Sequence, residues 1–182
     1  MQYGSFELYG ALGLEPRLAL DLDRVQKTFY EQSRQWHPDR FSRATPVEQQ
    51  RALDMTALVN DAYRTLRDPV ARAEYFLRQN GLELSKDAPP ELLEEVFELN
   101  MALEELRGGD DSARPQLTEA QTKFESMRAQ IDELLAGFFT DFDASRDPKV
   151  LDEIRATLNR RRYISNLLRD VNKELANVHV SN

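Results

Sequence analysis

Apolar positions along the chain recur at helical spacing almost everywhere. From Asp21 to Trp36 they fall at Leu22, Val25, Phe29 and Trp36, one stripe of a helix, with Asp21 placed to cap its N-terminus. Thr45-Pro46-Val47-Glu48 reads as a second helix start. Thr45 caps, Pro46 occupies the first turn, and Glu48 completes a capping box. The helix so opened carries Ala52, Met55, Val59, Ala62, Tyr63 and Leu66 on one stripe. It stops at Asp68-Pro69, which begins a short helix ending near Asn80-Gly81.

A break over Leu82 to Pro90, with Ala88-Pro89-Pro90 at its end, leads into a helix from Glu91 to Arg107. Gly108-Gly109-Asp110-Asp111 is a loop. A long amphipathic stretch then runs from about Gln116 to Phe142 through Leu117, Phe124, Met127, Ile131, Leu134, Leu135 and Phe138, and Asp147-Pro148 opens a last helix reaching about Ala176. Three long helices with short links predict an antiparallel bundle. No strand alternation and no internal repeat competes, so the fold class is all-α: an N-terminal antiparallel helical hairpin, then a C-terminal three-helix bundle, divided as 1–80 and 81–182.

Charge divides along the same line. The chain has 182 residues and a net charge of −8. Up to Asn80 there are 11 Lys+Arg against 11 Asp+Glu, and from Gly81 onward 13 against 21. The acidity belongs to the second half, which speaks against nucleic acid as a partner, because phosphate binding needs clustered positive charge. No apolar run is long enough to span a bilayer and no secretory pattern opens the chain, so no membrane partner and a cytoplasmic location are expected. Cysteine is absent, which excludes disulfides and thiolate metal sites. The histidines are His37 and His179, far apart; carboxylates show no metal-type spacing with them, and there is no Gly-rich phosphate loop. The expectation is a protein without catalytic residues, metal or cofactor.

The distinctive chemistry is His37-Pro38-Asp39, placed between the first two amphipathic helices. A bare tripeptide of this kind is ordinary helix punctuation, because proline disfavours helix in the residue before it. Its surroundings are not ordinary. Tyr9-Gly10-Ala11-Leu12-Gly13, Trp36-His37-Pro38-Asp39-Arg40, Asn60-Asp61-Ala62-Tyr63-Arg64-Thr65-Leu66, Asp68-Pro69 and Arg72-Ala73-Glu74-Tyr75 follow one another in the order and spacing of the J-domain family, which the first 80 residues resemble. The resemblance implies that the tripeptide contacts a DnaK-type ATPase and promotes its ATP hydrolysis. His37 would donate hydrogen bonds, Pro38 would preorganise the backbone, and Asp39 would offer a carboxylate to a partner arginine. Catalysis would stay in the partner, whose conformational equilibrium the J domain shifts. The family's second contact, a basic helix face, falls on Arg24, Lys27 and Arg34, with Arg40 just beyond the tripeptide; Glu31 interrupts that face.

No Gly/Phe-rich segment or cysteine-rich module follows. Trp36-His37-Pro38-Asp39-Arg40-Phe41, Arg72-Ala73-Glu74-Tyr75-Phe76-Leu77 and the Glu98-Leu99 helix after a proline-containing break make the whole chain similar to the HscB iron–sulfur cluster co-chaperones. That resemblance implies an HscA-type ATPase partner and an IscU-type scaffold protein as client, whose contacts map to Leu93, Phe97, Glu98, Met101 and Tyr163. Glu94 and Met101 depart from the family's apolar and acidic residues there. Helical phase adds an observation of its own. Val96, Leu99, Leu103 and Leu106 lie within about 40° of Leu92, whereas Leu93, Phe97 and Met101 lie about 100–180° away. Such a second strip is either packed on another part of the protein or exposed as a docking surface. Tyr163 points off the stripe formed by Ile154, Leu158, Leu168, Val171 and Leu175; Arg160-Arg161-Arg162 reads as a solvated run, and Phe138, Phe139 and Phe142 as bundle core or loop anchors. A J-domain co-chaperone for a different client, with the bundle as a general interaction module, is the alternative.

Overall fold

The computed structural model describes residues 6–85 and 89–176. Among them the regular structure is helical: α1 (Glu7–Ala11), α2 (Leu22–Gln35), α3 (Pro46–Arg67), α4 (Pro69–Gln79), α5 (Leu93–Arg107), α6 (Arg114–Ser145) and α7 (Pro148–Ala176), with 3₁₀ turns at Pro38–Phe41, Pro90–Leu92 and Asp111–Ala113. His179 and Ala88 lie outside the described residues. Capping explains the boundaries. Asp21 accepts from the Asp23 and Arg24 amides at the start of α2, Asp68 accepts from Ala71 N–H at 2.7 Å at the start of α4, and Thr45 and Glu48 form the full capping box of α3. α4 ends in a Schellman motif: Leu82 N–H reaches Leu77 O at 3.0 Å and Gly81 N–H reaches Arg78 O at 3.0 Å, which needs the left-handed φ of 73° that Gly81 adopts.

The chain forms two compact units, and their division differs from a cut at residue 80. One comprises the chain up to Glu83 together with Phe138–Arg155; the other comprises Leu84–Gly137 and the chain from Ala156 onward. In the first, α2 and α3 form the antiparallel hairpin, with Phe29 stacked on Tyr63 at 4.1 Å between ring centroids and Val25, Val59, Ala62 and Leu66 buried. Phe76 meets Phe6, Tyr9 and Phe142 at 5.0–6.4 Å. The Asp143 carboxylate accepts from Leu18 N–H at 3.1 Å and Ala19 N–H at 2.8 Å. These contacts put Phe138–Arg155 in the first unit, so Phe139 and Phe142 are buried, as core residues of that unit.

Arg72 is the one charged side chain buried among the described residues. Its Nε donates to Leu18 O at 2.8 Å and its Nη1 to Leu66 O at 2.5 Å, tying the loop before α2 to the end of α3. Burial pulls its pKa down from the usual arginine value, so the two carbonyl contacts offset a real desolvation cost. Burial likewise pushes the Tyr9 hydroxyl well above its usual range while it donates to Arg17 O at 2.6 Å.

In the second unit, α5, α6 and α7 make the three-helix bundle. Its core comprises Leu92, Leu99, Leu103 and Leu106, then Leu117, Phe124, Ile131 and Leu135, then Leu158, Ile164, Leu168 and Val171. Polar pairs mark the register: Glu95–Lys123 at 3.5 Å and Gln121–Asn172 at 2.6 Å join antiparallel neighbours, and Arg107–Glu174 at 2.7 Å joins the C-terminal ends of the parallel α5 and α7. Two stripe residues are exposed rather than buried. Leu22 is the first residue of α2, and its side chain leans past the helix end because Cα–Cβ bonds tilt toward the N-terminus. Leu134 sits about 100° off the direction shared by Leu117 and Leu135. The arginine run is not simply solvated either: Arg161 pairs with Asp132, and Arg162 donates to Ser85 O.

Candidate functional site

The His37-Pro38-Asp39 turn follows from where α2 has to stop. Pro38 disfavours helical geometry in the preceding residue, and His37 adopts φ −58°, ψ 128°, opening the 3₁₀ turn of Pro38–Phe41. The His37 Nδ1 accepts from Asp39 N–H at 3.3 Å and lies 3.6 Å from Asp39 Oδ2. An Nδ1 used as acceptor puts the proton of the neutral ring on Nε2. The His37 side chain is 58% exposed and that of Asp39 is 90% exposed. The turn therefore offers solvent a hydrogen-bond donor and a carboxylate side by side, with the imidazole oriented by the Asp39 backbone N–H.

The turn rests on neighbours that carry no motif. Trp36 stacks on Phe41 at 6.0 Å with 6° between the planes, and the Arg51 guanidinium lies 5.7 Å from the Trp36 ring. Thr56 Oγ1 lies 2.9 Å from Trp36 O and 2.8 Å from Ala52 O, within hydrogen-bond reach of both, and Gln49 Nε2 donates to Ala44 O at 3.2 Å. The helical phase of α3 was the available signal for these side chains, and phase alone names no acceptor.

Arg24, Lys27, Arg34 and Arg40 are all exposed, and Pro38 is half-buried. Arg34, His37 and Arg40 line one open depression together with Tyr30 and Ser33; Arg24 and Lys27 lie further back along α2. Arg40 Nη1 donates to Arg34 O at 3.3 Å, so part of its guanidinium caps the C-terminal end of α2. Tyr30, half-exposed in the same depression, is a feature the charge pattern did not suggest.

On α5 the second apolar strip is open to solvent: Leu93 is 56% exposed, Phe97 67% and Met101 49%. Of the two readings of that strip, the exposed one describes the structure. Glu98 is also exposed and turned about 60–140° from the strip, where it lines a groove between α5 and α6 with Glu95, Leu99, Ala102, Glu119 and Lys123. Tyr163 lies on α7 and is half-buried. Among the described residues no group of three or more His, Cys, Asp or Glu side chains is disposed to hold a metal ion, and no helix is long and apolar enough to cross a membrane.

Comparison with known proteins accounts for both halves. Residues 7–75 match the DnaJ domain, and residues 88–172 match the HSCB C-terminal oligomerisation domain. A co-chaperone protein HscB homolog of Vibrio vulnificus strain YJ016 is 34% identical over 154 residues, covering 82% of this chain and 86% of that protein. The chain belongs to the HscB co-chaperone family. A further HscB homolog, from Neisseria gonorrhoeae strain NCCP11945, is 28% identical over 168 residues, covering 89% and 95% of the two chains. The chaperone HscB structure from Vibrio cholerae superposes with a TM-score of 0.64 at 28% identity, covering 91% of this chain and 95% of that one. Human co-chaperone HscB shares the fold at a TM-score of 0.70 and 22% identity, covering 96% and 84%. A J domain and an HscB-type C-terminal domain in one chain make this HscB-family member a co-chaperone.

Proposed function

We propose that this HscB-family protein stimulates the ATPase of a DnaK/HscA-type chaperone through His37-Pro38-Asp39 and delivers an IscU-type iron–sulfur scaffold protein to it for cluster transfer. The observation that carries the reading is the pairing of an exposed, internally braced His37–Asp39 turn with an exposed apolar strip on α5. On the chaperone side, Asp39 is disposed to pair with a partner arginine and His37 Nε2 to donate. Arg34 and Arg40 flank them, and Arg24 and Lys27 supply attraction at longer range, acting mainly on association rate and its salt dependence. None of these groups hydrolyses ATP. They favour one conformation of the ATPase, and the shift can be no larger than their difference in affinity for its two states.

On the client side, Leu93, Phe97 and Met101 would bury against the scaffold protein, with Glu98 and Tyr163 adding polar and aromatic contacts at the margin. Residues 1–80 act as the J module and 81–182 as the client module, and the exchange takes place in the cytoplasm. The test is single-turnover ATP hydrolysis by an HscA-type chaperone, with and without IscU-type scaffold protein. Wild type should stimulate and His37→Gln should not, with an unchanged helical circular-dichroism spectrum, since His37 ends a helix and fills no core. Stimulation by His37→Gln equal to wild type would overturn the chaperone half. Stimulation that is intact and indifferent to the scaffold protein, with no scaffold retained in a pull-down, would point to a different client.

A further inference from the structure

The loop that carries His37 and Asp39 is held at both ends by α3. Its own backbone hydrogen bonds are short-range: Arg40 N–H to His37 O, Ser42 N–H to Asp39 O and Ala44 N–H to Phe41 O. The Trp36 carbonyl lies past the last intrahelical bond of α2, one of the orphan acceptors at a helix C-terminus. It accepts from Thr56 Oγ1 at 2.9 Å, across 20 residues of sequence. At the other end, Gln49 Nε2 reaches Ala44 O at 3.2 Å and Ser42 O at 3.4 Å. Gln49 and Thr56 are two helical turns apart on α3 and so share a face. Ala52, between them on that face, is fully buried and small enough for the loop to lie close. Thr56 Oγ1 is also 2.8 Å from Ala52 O, so its single proton is shared between the two carbonyls. That carbonyl is inside α3, where the helix supplies an amide donor. Loss of the hydroxyl therefore falls on Trp36 O.

We propose that Thr56 and Gln49 are positioning residues that clamp the two ends of the 36–44 loop and so fix how His37 and Asp39 are presented to the ATPase. Neither side chain touches the partner; each acts by limiting the conformations of the loop before docking, which lowers the ordering cost of binding. The inference rests on the proposed docking of the turn to a DnaK-type ATPase, and its test separates the two.

Thr56→Val keeps the side-chain shape and removes the donor; Thr56→Ser keeps the donor. The full chain is titrated into a DnaK-type chaperone in single-turnover hydrolysis, and amide exchange of residues 37–44 is measured on the chain alone. Thr56→Val should raise the co-chaperone concentration for half-maximal stimulation roughly fivefold, the value of one hydrogen bond, at an unchanged plateau. Exchange at residues 37–44 should quicken by a similar factor while that of α5–α7 stays as in wild type. Thr56→Ser should restore both, and adding Gln49→Ala to Thr56→Val should deepen both. Wild-type behaviour of Thr56→Val in both measurements overturns the clamp. Equal defects in Thr56→Val and Thr56→Ser also overturn it, since packing rather than the hydroxyl would then be at work. Failure of the wild type itself to stimulate overturns the proposed function, and the docking role of the clamp with it.

Discussion

Replacing Leu93 and Phe97 by serine tests the proposed client face, for which the structure gives a magnitude. Leu93 is 56% and Phe97 67% exposed, so each has a little over half of its side chain left to bury in a complex. Fully burying a leucine or phenylalanine is worth about 1.5–3 kcal/mol, which scales here to about 1–2 kcal/mol for each residue. Two such losses come to about 2–4 kcal/mol, or roughly 30- to 700-fold in affinity at tenfold per 1.4 kcal/mol. The same exposure limits the cost to folding, since surface substitutions usually change stability by no more than about 0.5 kcal/mol. Leu99, on the core side of the same helix at 3% exposure, should behave in the opposite way, with Leu99→Ala destabilising by about 2–5 kcal/mol. Calorimetric titration with an IscU-type scaffold protein, alongside thermal melts followed by circular dichroism, reads both quantities. Leu93→Ser/Phe97→Ser should lose affinity at a nearly unchanged melting temperature. Undiminished affinity would move the client face elsewhere, and unfolding of the double variant would show that the strip is part of a packed surface.

Arg72→Met should destabilise the first unit by about 2–4 kcal/mol: Leu18 O and Leu66 O each lose a donor at about 1–3 kcal/mol, partly offset by no longer burying a charge. Urea unfolding checks this, and a change below about 0.5 kcal/mol would refute it. Glu48 supplies a pH dependence. The Thr45 hydrogen bonds hold its carboxyl below the ordinary 4.5, while in the unfolded chain it keeps that value. Its contribution is therefore complete above pH 4.5 and lost as the pH falls through the lower folded value, where the unfolded state takes up the proton first. The melting temperature of Glu48→Gln should accordingly fall less steeply below pH 4.5 than that of wild type, and parallel curves would exclude Glu48 as the titrating group.

The helices were legible because their determinants are local. Asp21, Asp68 and the Thr45–Glu48 pair sit within three residues of the amides they cap, so a short window of sequence contains both partners. The ends were less exact: α6 begins at Arg114 and runs to Ser145, beyond the expected Gln116 and Phe142, since apolar periodicity marks the buried stretch of a helix rather than its length. Placement of Phe138–Arg155 in the first unit was not legible. A 3.6-residue period shows that Phe142 faces something apolar, but not that the something is Phe76, and Asp143 meets the backbone amides of Leu18 and Ala19, which have no side-chain signature.

The same distinction runs through the site. His37, Asp39 and the basic residues of α2 announce their chemistry by residue type. Thr56 and Gln49 act on carbonyl oxygens that every residue possesses, so only the folded arrangement pairs them with Trp36 and Ala44. The α5 strip lies between these cases. Phase marked it as surplus to a single core stripe and left its surroundings open; Leu93, Phe97 and Met101 are all exposed among the described residues. Three large apolar side chains in one line are a liability for a free protein. Here Glu94 and Glu98, both exposed, border that line in the acidic half of the chain. Their like charges oppose association of two such faces while leaving the strip open to a partner with complementary charge. An exposed apolar strip bordered by carboxylates would suit the client-binding role proposed for this module, and the acidity of the second half is the sequence feature that would set the charge of its partner.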